Sequence, residues 1–226
     1  MSEGLYVQLL DLAAGAFLLA AVVVLWRREL AAIVRVFALQ GVSLAVIAVL
    51  LGAHEERWDL IAIGVGIGLL RAGVLPYLMR RALAAPTADR VHREEVRETQ
   101  PLVNVAASLL TAAMLTLLAY AVSRPLTELN PTPATRALPV GLAVVLIGFF
   151  VLVTRRRASA QVVSFLLLDN GITATAFLAT SGVPLIVELG VSFDVLLAVL
   201  VLQILTTRMR EAFGTTDIDD LRELHD

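Results

Sequence analysis

The chain has 226 residues, 58% of them apolar, with a mean hydropathy of +0.84. Soluble domains hold about 45–50% apolar residues, so this composition belongs in a bilayer. The net charge of −2 argues against nucleic acid as a partner, and the absence of Cys excludes disulfides, thiolate metal sites, iron–sulfur ligation and cysteine nucleophiles. All 18 basic residues are arginines, a bias ascribed to codon usage rather than mechanism. The first apolar run is long and lacks a basic flank, so no cleavable signal peptide is expected.

Seven runs are long enough to cross a bilayer as helices of about twenty residues. They lie near 5–25, 30–51, 60–79, 102–121, 138–154, 161–181 and 184–206. The predicted fold is therefore all-α, a polytopic membrane bundle of seven transmembrane helices. Six spans remain if the short fifth run, which relies on Pro139 to start its helix, is re-entrant. The division is an N-terminal three-helix unit (1–84), a charged connector (85–100), a linking transmembrane helix (101–122), a Pro-rich outer loop (123–136), a C-terminal three-helix unit (137–207) and a tail (208–226). The outer loop, "SRPLTELNPTPATR", reads as non-helical.

Arginine placement orients these spans. Thirteen arginines, among them Arg27, Arg28, Arg80, Arg81 and Arg155, follow spans one, three and five or lie in the tail; the other side carries only Arg57, Arg124 and Arg136. This bias puts the N-terminus outside and the C-terminus in the cytoplasm of a bacterial cytoplasmic (inner) membrane. Arg35 and Arg71 fall within spans; Arg35 is near an end and can snorkel to the interface. The two helix trios also share a rhythm. "RRELAAIVRVFALQG" echoes "RRRASAQVVSFLLLDNG", with Phe37 and Phe165 in register, as expected of two parallel repeats joined by one extra helix.

An ionisable side chain at mid-membrane costs about 2.5–3.5 kcal/mol and marks a proton or ion pathway by default. Asp169 and Arg71 each lie roughly 12 Å from the cytoplasmic end of their spans, and Asp194 roughly 18 Å. Glu188 is near the outer surface. Helical spacing sets Asp169, Asn170, Thr173 and Thr180 on one face, and Glu188, Ser192 and Gln203 on a stripe of the last span. Two roles stay open for these charges: an exchangeable proton relay, or Arg71 paired with Asp169 or Asp194 as structural glue. The histidines, His54, His92 and His225, fall in loops or the tail without metal-ligand spacing. No catalytic residue, cofactor site or metal site is expected.

The C-terminal third, "LLLDNGITATAFLATSGVPLIVELGVSFDVLLAVLVLQIL" followed by "FGTTDIDDLREL", resembles hydrogenase-4 component E, a membrane subunit of formate-hydrogenlyase-type complexes. The matching positions are Asp169 to Ile172, Gly182 to Gly190, Asp194, and Phe213 to Asp217. "RREL" and "LLRAGVLPYLMRR" carry a looser match in the first half, where the family usually has a lysine in place of Arg71. The same region is similar, more remotely, to the K-type subunit of complex I, whose two intramembrane glutamates fall near Asp169 and Asp194. The resemblance implies a non-catalytic subunit of a proton- or sodium-translocating membrane arm. Its partners would be antiporter-like and other membrane subunits, with a [NiFe]-hydrogenase or related redox module on the cytoplasmic face. A pure scaffold and an independent small transporter are the rival readings.

Overall fold

The computed structural model describes residues 2–27, 29–84, 104–155 and 158–180. In chain order they form α1 (Glu3–Trp26), α2 (Leu30–His54), α3 (Trp58–Ile67), a π-helical segment (Gly68–Val74), α4 (Leu75–Ala84), α5 (Val105–Leu129), α6 (Pro133–Thr154) and α7 (Ala158–Thr180). Because α3, the π segment and α4 run on as one rod, the described residues hold six helices long and apolar enough to cross a membrane. The protein is an all-helical, polytopic bundle. The seventh predicted run (184–206), the connector (85–100) and the tail (208–226) lie outside the described residues.

These helices are apolar on every side, which is the pattern of spans that face protein on one side and lipid on the other. On α1, for instance, Leu10 and Phe17 are buried while Leu12 and Leu19 are exposed. Polar contacts also close several helix ends. The α2–α3 turn closes with the Arg57 amide bonded to the Gly52 carbonyl at 2.8 Å and Glu56 in the left-handed region, φ 57°. That is a Schellman ending with a glutamate where glycine is usual. At the start of α6, Thr132 and Thr135 cap each other reciprocally and Pro133 occupies the first turn.

The expected Pro-rich loop at 123–136 is mostly helical. α5 runs through Pro125 to Leu129, and α6 begins at Pro133, so the break is only Asn130–Thr132. A membrane helix tolerates proline when hydroxyls occupy nearby carbonyls. Pro125 withholds its donor from the Ala121 carbonyl, while Ser123 Oγ bonds the Ala119 carbonyl at 2.6 Å and Thr127 Oγ1 that of Arg124 at 2.9 Å on either side. By the same extension α6 reaches 22 residues, long enough to cross, which removes the basis for a re-entrant fifth span.

A second proline shapes the third span. Pro76 has no N–H to give the Ala72 carbonyl, and its ring crowds that carbonyl. The helix widens to π geometry just before it, and the Leu75 amide bonds the Leu70 carbonyl, five residues back. Arg71 sits in this widened stretch.

Packing depends on close backbone approach. A Cβ on Gly171 of α7 would come within 2.6 Å of the Val145 amide of α6, and one on Gly148 within 2.7 Å of the Leu168 backbone. Without hydrophobic drive between spans, small residues that admit close contact are what join helices in lipid. α6 and α7 form the most extensive pair; α1 packs on α2 and α6, and α2 packs on α3, the π segment and α7. α5 is peripheral, with far less of its length buried by protein than α7.

α2 and α7 bury matching positions. Ile33, Val34, Phe37, Gln40, Ser43, Leu44, Ile47 and Ala48 correspond to Val163, Ser164, Leu167, Asn170, Thr173, Ala174, Phe177 and Leu178, each 130 residues later and each buried. In this register Phe37 corresponds to Leu167. The expected pairing with Phe165 fails because Phe165 is exposed to the lipid side whereas Phe37 is in the core.

Candidate functional site

The deepest polar cluster lies where α2, the π segment and α7 meet. Gly41 makes this possible: a Cβ there would stand 2.9 Å from the Arg71 carbonyl carbon, so only glycine lets α2 press against the backbone of Arg71. Arg71 is thirteen residues from Trp58 and ten from Arg81, hence about 15–20 Å from either end of its span. Its side chain is 1% exposed.

The guanidinium reaches α7. Nη2 lies 2.7 Å from Asp169 Oδ2 and donates to Thr173 Oγ1 at 2.9 Å, while Nη1 donates to Asn170 Oδ1. Asp169, Asn170 and Thr173 are themselves buried. The i, i+1 and i+4 spacing on α7 thus turns three polar groups toward one cation. Arginine only donates, so the Asn170 oxygen must face it, and the Asn170 Nδ2 then donates to Gln40 Oε1 at 2.9 Å on α2. Gln40 is fully buried, and its Nε2 finds no partner among the described residues. The order of donors and acceptors is therefore forced from Arg71 through Asn170 to Gln40.

A charged pair so far from water is held by its hydrogen bonds as well as by its own attraction. Chemically the cluster can hold a carboxylate against a fixed cation whose other donors reach a threonine hydroxyl and an amide oxygen. Among the described residues, no three of His, Cys, Asp and Glu converge as a metal-binding group would.

Of the predicted site residues, the structure brings together Arg71, Asp169, Asn170 and Thr173. Asp194, Glu188, Ser192 and Gln203 lie outside the described residues. Thr180, at the far end of the predicted polar face, is exposed and bonds its own helix at the Ala176 carbonyl. Arg35 is exposed and turns its Nε to the Ala31 carbonyl at 3.3 Å, as its shallow position required. His54 is not in a loop: it ends α2 and stacks on Tyr6 of α1, ring centroids 3.9 Å apart and 2° from parallel.

Two residues escaped the sequence reading. Gln40 had a signal, because "LQG" and "DNG" end the two echoing segments and Gln40 corresponds to its own partner, Asn170. Arg155 read as one of a solvated arginine cluster, yet it is 4% exposed and directs Nη2 to the Val24 and Arg27 carbonyls, each at 3.4 Å. It satisfies the C-terminal carbonyls of α1, where a cation also complements the helix dipole.

The chain is thus a multi-pass helical membrane protein with a buried arginine–aspartate pair joining its third span to α7. It is 51% identical over 226 residues, the full length of both chains, to the uncharacterized protein Rv0085 of Mycobacterium tuberculosis (strain ATCC 25618 / H37Rv), and it belongs to the same family as that protein. It is also 30% identical over 115 residues to hydrogenase-4 component E of Escherichia coli (strain K12), and equally to that of Shigella flexneri, a match covering 51% of this chain and 53% of theirs. No family model matches, and no solved structure matches.

Proposed function

We propose that this protein is a non-catalytic membrane-arm subunit of a hydrogenase-4-like respiratory complex, contributing intramembrane carboxylates to proton or sodium translocation coupled to redox chemistry. The observation that carries the reading is the Arg71–Asp169 pair, buried at mid-membrane between two separate spans. The partial match to hydrogenase-4 component E supports membership in a multisubunit membrane complex. In this reading Asp169 exchanges the transported proton, Arg71 sets how tightly it is held, and Asn170 and Thr173 hold the arginine in place. Asp194 and Glu188 extend the path along the last span, assisted by Ser192 and Gln203. The membrane is the bacterial inner membrane, with the N-terminus outside and the C-terminus cytoplasmic.

The partners follow from the same reading: antiporter-like subunits in the membrane and a [NiFe]-hydrogenase-type module on the cytoplasmic face. An affinity-tagged chain drawn from its native membrane in mild detergent is expected to bring those subunits with it. Recovery of the chain alone, as a stable active transporter, would overturn the assignment.

A second reading has its own support. The hydrogen bonds from Arg71 to Asn170 and Thr173, beside its contact with Asp169, are also what a locked structural clamp would require. In that case the protein joins antiporter-like subunits without carrying protons.

A further inference from the structure

At the end of the bundle opposite Arg27 and Arg155, an open cavity of about 410 Å³ lies between the C-terminal turns of α5 and the N-terminal turns of α6. Tyr120, Ala121, Arg124, Thr127, Arg136 and Pro139 line it. We infer that this cavity holds the phosphate headgroup of an anionic phospholipid, whose acyl chain lies along the outer face of α5.

Charge is the first argument. That end of the described bundle carries three arginines, Arg57, Arg124 and Arg136, and two of them converge on this one cavity. Arg57 is engaged with Asp59 at 2.7 Å and Glu55 at 3.9 Å. Arg124 meets Glu128 Oε1 at 2.9 Å through Nε, and its side chain is 78% exposed. Arg136, on the first turn of α6, is exposed and has no side-chain partner among the described residues. Guanidinium groups match phosphate oxygens in geometry as well as charge, and two of them outweigh the single Glu128 carboxylate.

Shape is the second. Arg124 and Ala121 continue along one face of α5 into Leu117, Met114 and Leu110, at alternating steps of three and four residues. Leu117, Met114 and Leu110 are all exposed. From Ala121 to Leu110 is eleven residues, about 16 Å, close to half of the roughly 30 Å hydrocarbon core. A charged cup at the interface therefore leads into an apolar track one leaflet long. Free phosphate would use the cup and leave the track idle, whereas a diacyl phospholipid uses both. Tyr120, amphipathic and at the rim, suits the headgroup level.

The test is native mass spectrometry of the full-length protein, delipidated and then exposed to phosphatidylglycerol, phosphatidylcholine or inorganic phosphate. Retention of phosphatidylglycerol at least tenfold above phosphatidylcholine, with no adduct from inorganic phosphate, is expected. Arg136→Gln should lower that retention to the phosphatidylcholine level, and Arg136→Lys should preserve most of it. Equal retention of both lipids, an inorganic phosphate adduct in place of lipid, or an unchanged Arg136→Gln variant would overturn the inference. Circular dichroism of each variant shows that it is folded.

Discussion

Arg71 is among the largest fully buried side chains and ties the third span to α7. Removing one partner of a buried ion pair leaves an uncompensated charge and typically costs about 3–5 kcal/mol, while replacing both by apolar residues is often close to neutral. We therefore expect Arg71→Leu to lower thermal stability in detergent sharply, and Arg71→Leu combined with Asp169→Leu to recover most of that loss. A double variant that is no more stable than the single one would show that Asp169 does not need the cation. Much of this cluster was legible: an arginine and an aspartate at similar depths on different spans, with Asn170 and Thr173 beside the aspartate. Gln40 was signalled only by the echo of "LQG" and "DNG", because a lone glutamine in an apolar run carries no charge to force a partner. Only the bond from Asn170 shows what it is for. Arg155 was hidden for the opposite reason, since a cluster of arginines after a span reads as solvated whichever member turns inward.

At the scale of helices, composition and length identified the spans well but their ends poorly. Proline and polar residues normally interrupt helices, and "SRPLTELNPTPATR" contains both. The chain stays helical through Pro125 as far as Leu129, and the Thr132–Thr135 cap restarts the next helix at once. Pro76 acts differently: it turns part of the third span into π geometry next to Arg71, where π segments often mark function. No periodicity announces that. The seam between α6 and α7 gives a prediction at this scale. Gly171→Ala puts a methyl against the Val145 amide, where backbone must shift, and should cost roughly 1–3 kcal/mol. Gly15 of α1 has nothing within 4 Å, so Gly15→Ala should be neutral or stabilise by about 0.4–1 kcal/mol. Thermal unfolding of the two variants checks this, and an equal effect from both would refute the close-packed seam.

Across the whole molecule, α1–α2 and α6–α7 form two hairpins that meet like with like: α1 against α6, α2 against α7. α2 and α7 share burial positions 130 residues apart. The Gln40–Asn170 bond joins corresponding positions of the two halves, and Arg71 comes to that junction from the third span. The polar cluster is thus placed at the meeting of the halves, not within either one. Such a location suits a subunit through which charge passes, and it equally suits a clamp.

One measurement separates these most directly: redox-driven proton translocation by inverted membrane vesicles containing the whole complex with Asp169→Asn. This substitution keeps the size of the side chain and its ability to accept from Arg71 while removing the exchangeable carboxylate. An assembled complex with normal subunit content is expected, its proton transport per electron lowered at least severalfold. Unchanged transport per electron in an intact complex would contradict this expectation, leaving Asp169 as a structural partner of Arg71.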